Sequence, residues 1–200
     1  MTDPSIEELT DDELKALAHP LRVRMLEALT DEGPATASQL AQRFGESSGA
    51  TSYHLRQLAR HGFIEEDQER SGGRQRWWRI LRRGWAIPSF DFRRRESTRH
   101  HANVLLHELS RGRMERLTTW FERFDTWEEP WAEAAQDTEA RLRLTRDELE
   151  QLSEDLLAVL MEYVELDGSR DEPPHGAALV DVQLYAFPLR LTADEDGADT

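Results

Sequence analysis

The chain has 200 residues, 38% of them apolar, no cysteine and a formal net charge of −15; this suffices for one large or two small packed domains. Without cysteine, disulfide scaffolds and thiolate metal sites are excluded, and no apolar run approaches the roughly 18 residues a bilayer-spanning helix needs. The acidic start MTDPSIEELTDDELK lacks the basic and apolar stretches of a secretion signal, so the expectation is a soluble, cytoplasmic protein without membrane contact.

The charge is unevenly spread. Residues 1–100 balance to zero and residues 101–200 carry the whole −15, while 43–99 holds 13 arginines against 7 acids. A basic face on an acidic body orients a polyanion toward one surface, although excesses of this size also occur on faces that are merely solvated.

In chain order, residues 1–9 read as a disordered acidic tail. Thr10 with Glu13 forms a capping box for a short helix that turns Leu14, Leu17 and Ala18 inward. His19-Pro20 interrupts it, since proline disfavours a helical residue before it. A second helix, Pro20 to about Leu29, places Leu21, Met25, Leu26 and Leu29 on one stripe and ends in the loop Asp31-Glu32-Gly33-Pro34.

Thr36 with Gln39 caps a third helix with an apolar face of Ala37, Leu40, Ala41 and Phe44, stopped by Gly45. Glu46-Ser47-Ser48 is a turn that supplies a hydroxyl cap for a helix over about 48–61. Thr51, Leu55 and Leu58 share its inner face; Gly49, Tyr53, Arg56, Gln57 and Arg60 point outward, with Ala50 and His54 at the flank. Phe63–Asp67 then reads as a strand, Ser71-Gly72-Gly73 as a turn, and Gln75–Leu81 as the returning strand, surrounded by Arg70, Arg74, Arg76 and Arg79. Two helices joined by a tight turn and followed by an arginine-tipped hairpin make a winged helix-turn-helix over residues 10–92.

That order of elements points to double-stranded DNA. Small and hydroxylated residues at the start of the second helix (Ser47, Ser48, Ala50, Ser52) allow close approach and phosphate contact. Tyr53, His54, Arg56, Gln57 and Arg60 follow, and Gln and Arg pair bidentately with adenine and guanine edges. Arg70, Arg74 and Arg76 would lie over the backbone or minor groove. The bland alternative for each residue is a solvated polar face.

Residues 16–29 (ALAHPLRVRMLEAL) resemble the first conserved stretch of the ArsR-type winged-helix repressors, and TASQLAQRFGESSGATSYHLRQLARHGFIEE is similar to that family's helix-turn-helix, including Ser-x-His-Leu at Ser52, His54 and Leu55. RSGGRQRWWRI resembles the wing. The resemblance covers about residues 10–82 and implies a homodimeric repressor on a two-fold symmetric operator, released by an effector. The family's metal-sensing branch places cysteines in this region and none is present. His100, His101 and His107 do not match the spacing of its alternative site, so no metal or other cofactor is expected.

Beyond the hairpin, Trp85–Phe92 (WAIPSFDF) is an apolar linker. Residues 93–136 hold a long helix, about Glu96 to Trp127, with Val104, Leu105, Leu109, Leu117, Trp120, Phe121, Phe124 and Trp127, and Gly112 as a candidate bend. Its stripe suits either a second subunit, favoured by the resemblance, or its own domain. Residues 137–191 read as strand, helix, strand: alternation at Ala140, Leu142 and Leu144, a capping box at Thr145 and Glu148 opening a helix to about Glu165 that buries Leu149, Leu152, Leu156, Leu157, Leu160 and Val164, and a strand over Ala178–Pro188. Residues 192–200 form a second disordered acidic tail. The fold class is therefore mainly α with a small β component (α+β). Trp120, Phe124, Trp127, Trp131 and Tyr185 are candidates for an effector pocket, for a small molecule or a protein, against the plainer reading of aromatic core.

No glycine-rich phosphate loop, serine elbow or His-Glu-x-x-His helix is present, and no enzymatic activity is expected. The remaining alternative is a winged-helix protein-interaction module without operator binding.

Overall fold

The computed structural model describes residues 7–70, 75–81, 85–86, 91–170 and 172–189. Two compact units partition the chain, Met1–Ala132 and Glu133–Thr200. Within the first, strand β1 (Glu7–Glu8) precedes α1 (Asp11–Leu17), α2 (Pro20–Asp31), β2 (Ala35–Thr36), α3 (Ala37–Phe44) and α4 (Ser48–Arg60). Strands β3 (Ile64–Glu66), β4 (Trp77–Ile80) and β5 (Trp85–Ala86), short α5 (Asp91–Arg94), long α6 (Glu96–Glu122) and a 3-10 turn at Phe124–Thr126 follow. Helix α7 spans Glu129–Ala134 and α8 spans Arg146–Gly168.

Helix starts are set by local chemistry. Reciprocal capping boxes close at Thr10/Glu13, Thr36/Gln39 and Thr145/Glu148, satisfying first-turn amides that have no helical acceptor. His19 is the cap of α2: its Nδ1 accepts from the Leu21 amide at 3.2 Å, and Pro20 occupies the first helical position. Gly45 ends α3 at φ 68°, in the left-handed region where a Cβ is disfavoured.

The β component is an antiparallel three-stranded sheet in the order β2-β4-β3, with Ala35 opposite Trp78, Thr36 opposite Trp77, and Ile64 opposite Ile80. The hairpin is as read from the sequence, but β2 was not foreseen, and the turn at 71–74 lies outside the described residues. So do Arg82–Gly84 and Ile87–Phe90. A second pair, β1 parallel to β5, ties Glu7–Glu8 to Trp85–Ala86, and Leu9 is buried. The acidic tail expected over 1–9 is thus ordered from Glu7, because strand pairing and Leu9 hold it.

One core gathers Leu14 and Leu17 of α1, Val23, Met25 and Leu29 of α2, Leu40 of α3, Leu55 and Leu58 of α4, Phe63, Ile64 and Trp78 of the sheet, and Phe92. Helix α6 joins it through Ala102, Leu105 and Leu109, so the first half of the long helix packs on its own domain against α1 and α2. Thr98 closes the bend from α5 by donating from Oγ1 to the Phe92 carbonyl at 2.7 Å. Beyond Gly112 the apolar residues emerge: Met114, Leu117 and Phe121 are exposed.

In the second unit α8 forms with the expected cap, but no residue of it is buried; Leu156 and Leu157 are exposed, and Leu149, Leu152, Leu160 and Val164 are half-buried. The strands expected over Glu139–Leu144 and Ala178–Pro188 are absent, and no ladder exists in this region among the described residues. Alternation shows only that a segment would suit a sheet; a strand exists only with a partner for its backbone groups.

Leu105→Ala, at a fully buried position, is expected to cost about 2–5 kcal/mol in chemical denaturation. Gly45→Ala should cost about 1–2 kcal/mol through backbone strain alone, since open space surrounds that position.

Candidate nucleic-acid interface

Helix α4 is fixed from beneath. Thr51, Leu55 and Leu58 on one face of α4 are buried in the core, which aims the opposite face at solvent. The cap is Ser47, one position before the expected helix start: its Oγ accepts from the Ala50 amide at 3.1 Å, and Thr51 Oγ1 donates back to the Ser47 carbonyl at 3.0 Å. Ser47, Ser48, Gly49, Tyr53, Arg56 and Arg60 are exposed, while Ala50, Ser52 and Gln57 are half-buried at the edges of that face. A Cβ at Gly49 would meet only the Ser47 hydroxyl, at 4.0 Å, so the first turn presents a low surface.

Ser52, Arg56 and Arg76 come together. With Thr36, Ala37 and Ser38 at the start of α3, and Gln75 and Trp78 of the hairpin, they line a cleft of about 360 Å³. Ser38 and Gln75 were missed in the sequence, although Ser38 sits in the first turn of a capped helix, where hydroxyls and amides converge on an anion. The cleft joins three elements that the helix-turn-helix arrangement sets side by side.

The arginines fall into two groups. Arg56 and Arg60 on α4 have no carboxylate partner among the described residues. The hairpin arginines are paired internally: Arg76 Nε to Glu66 at 2.9 Å, Arg79 to Glu65 at 2.7 Å, and Arg70 to Asp67 at 3.7 Å. Hydrogen bonding to Glu65 pushes the Arg79 guanidinium above its usual range. Arg74 lies outside the described residues.

Of the aromatic candidates, Trp120 packs on Phe124 at 5.8 Å and on Trp127 at 5.1 Å between ring centroids. Trp120 and Trp127 help line a second cleft, about 680 Å³, between α2, the end of α3 and the second half of α6. Phe124 and Trp131 are exposed and do not line it. Tyr185 belongs to the second unit, where it is exposed and donates to Gln183 Oε1 at 3.2 Å. Among the described residues no group of three or more His, Asp or Glu is placed to hold a metal, and no helix is long and apolar enough to cross a membrane.

His54 turns away from the outer face. Its ring lies 4.3 Å from that of His19, and its buried Nδ1 has no hydrogen-bond partner among the described residues. Burial lowers the His54 pKa first, then the positive charge of His19 and Arg22, with Glu46 opposing. Burial and Arg22 likewise lower His19, again against Glu46. Tyr53 is the other titratable neighbour, edge-on to His54. Both folded values lie below the usual 6.5, so the unfolded chain binds more protons beneath that pH. The contribution to stability is complete above pH 6.5 and declines as pH falls below it. Glu27 works in the opposite sense, since burial raises its carboxyl above 4.5 and protonation then favours the folded state. The urea midpoint is therefore expected to drop between about pH 7.5 and 5.5, and a His19→Asn/His54→Gln variant, which keeps an acceptor at the α2 cap, should flatten that drop.

Residues 17–67 match the helix-turn-helix domain family. No curated protein matches the chain. Two solved structures of a mutant of Lactococcus lactis ZitR are similar to it, each 17% identical. One covers 72% of this chain and 75% of its own, with a TM-score of 0.31. The other, in apo form, covers 73% and 83% with a TM-score of 0.32. The matched residues run from the last residue of α1 through β3 and include the helix pair α3–α4; β4, the central strand of the three-stranded sheet, follows the match.

Proposed function

We propose that this chain is a sequence-specific DNA-binding transcriptional regulator, acting in the cytoplasm as a homodimeric repressor of the ArsR type and without enzymatic activity. The observation that carries the reading is the junction of Ser52 and Arg56 on α4 with Ser38 on α3 and Arg76 on the hairpin in one cleft. That cleft has the parts a phosphate backbone needs: hydroxyls, first-turn amides and guanidiniums. Beside it, Tyr53, Gln57 and Arg60 stand where a helix lying in a major groove presents its edge to bases.

Selection of bound duplexes from random DNA is expected to yield a two-fold symmetric site, with affinity falling steeply between about 50 and 200 mM salt. Arg56→Ala should weaken all duplexes alike and reduce the salt slope by about one, whereas Gln57→Ala should relax sequence choice. The pairing of Arg70, Arg76 and Arg79 with Asp67, Glu66 and Glu65 favours a second reading: a protein-interaction module whose wing charges are already satisfied. Recovery of no preferred duplex at any salt would select that module over the regulator.

The dimer reading rests on Met114, Leu117 and Phe121, an exposed apolar row on one face of α6 past Gly112. Paired across a two-fold axis, such rows bury each other and fix the spacing of two reading helices. Light scattering is expected to give twice the 23.2 kDa chain mass, and Leu117→Glu/Phe121→Glu should give a folded monomer. A monomeric parent chain would remove the dimer from the reading.

A further inference from the structure

The cleft between α2, α3 and α6 has a volume of about 680 Å³, within the range of small-molecule sites. Its lining is of two kinds. On one side Trp120 and Trp127 form an aromatic corner, their ring centroids 5.1 Å apart and tilted by 43°. Trp127 is 44% exposed, an indole face open to an apolar or aromatic group. Phe44, at the end of α3, faces the same space.

The other kind is guanidinium. Five arginines line the cleft against four carboxylates, and three of the five are engaged: Arg43 with Glu32, Arg111 with Glu108 and Glu115, and Arg116 with Glu27 at 3.2 Å. Arg24 and Arg123 have no carboxylate partner among the described residues. The Arg24 guanidinium lies 4.6 Å over the Phe44 ring. Such stacking holds the plane in position while leaving N–H groups at its edge for an anion.

We propose that this cleft binds a planar aromatic carboxylate, its rings against Trp120 and Trp127 and its carboxylate on Arg24 and Arg123. An organic cation would meet five guanidiniums, and a neutral aromatic would leave the two unpaired ones unanswered. Resting on the regulator reading above, the same occupancy acts on DNA: Arg43 and Phe44 close α3 immediately before the Gly45 turn into α4, so a molecule lodged between them and α6 shifts the reading helix.

The test is titration calorimetry of the full chain with 2-naphthoate, 2-naphthamide and 2-naphthylmethylammonium, followed by duplex binding with and without 2-naphthoate. The naphthoate is expected to bind saturably and at least about tenfold more tightly than either analogue, as one charge-assisted hydrogen bond implies. Arg24→Gln and Arg123→Gln, whose folding circular dichroism checks, should each remove about that factor. Equal binding of the three probes, no binding, or indifference to both substitutions overturns the site. Naphthoate binding in a chain that selects no duplex leaves the site standing and removes the regulator reading; duplex selection without naphthoate binding does the reverse. Duplex affinity unchanged by bound naphthoate removes the coupling alone.

Discussion

The arrangement depends on the burial of one stripe of α4. Thr51, Leu55 and Leu58 are fully enclosed, and they recur at helical spacing, so their insertion fixes the rotation of the helix as well as its position. Every outward residue then has a determined direction. The Gly45 turn adds the second constraint: with a left-handed residue between two short helices, α3 meets α4 at a set angle and delivers Ser38 to the side of Ser52 and Arg56. Neither helix is long enough to be stable alone; the core supplies what length does not.

Electrostatics explains how a chain of net charge −15 can still present a DNA-facing surface. Among the described residues of the hairpin, Arg70, Arg76 and Arg79 are paired with Asp67, Glu66 and Glu65. On α4, Arg56 and Arg60 have no carboxylate partner among the described residues. A phosphate approaching the wing has to displace a carboxylate from Arg76, and these exposed pairs are weak enough to exchange. On the proposed function, attraction falls mainly to the outward edge of α4, and the wing contributes once docking has brought phosphates within reach.

What could be read from the sequence was what is local. Capping boxes span four residues, and Thr10/Glu13, Thr36/Gln39 and Thr145/Glu148 all formed. The buried stripe of α4 and the Gly45 stop follow equally from nearest-turn chemistry. What could not be read depends on distant partners. The two-residue strands β1 and β2 exist only because β5 and β4 lie beside them. His54 carries an outward-compatible flank position, yet His19, far back along the chain, draws its ring inward. The ion pairs of the wing are cross-strand contacts set by register, such as Glu65 opposite Arg79. In the second unit, alternation at Leu142 and Leu144 found no strand to pair with, and the leucines of α8 found no face to bury them.

Helix α6 joins these parts. Its first half is anchored by Ala102, Leu105 and Leu109, and at Gly112 a Cβ would press on the Glu27 carboxylate of α2. Beyond that point one face carries the exposed row of Met114, Leu117 and Phe121, while Arg116 and Trp120 face the cleft toward α2 and α3. The partly buried Glu27–Arg116 pair bridges α2 and α6 at the cleft wall, and burial already raises the Glu27 pKa against the pull of Arg116. Such a pair contributes little while intact and costs much when one partner is withdrawn. Withdrawing either partner would therefore loosen the join between α2 and the helix carrying the exposed row, and α2 also packs on α4.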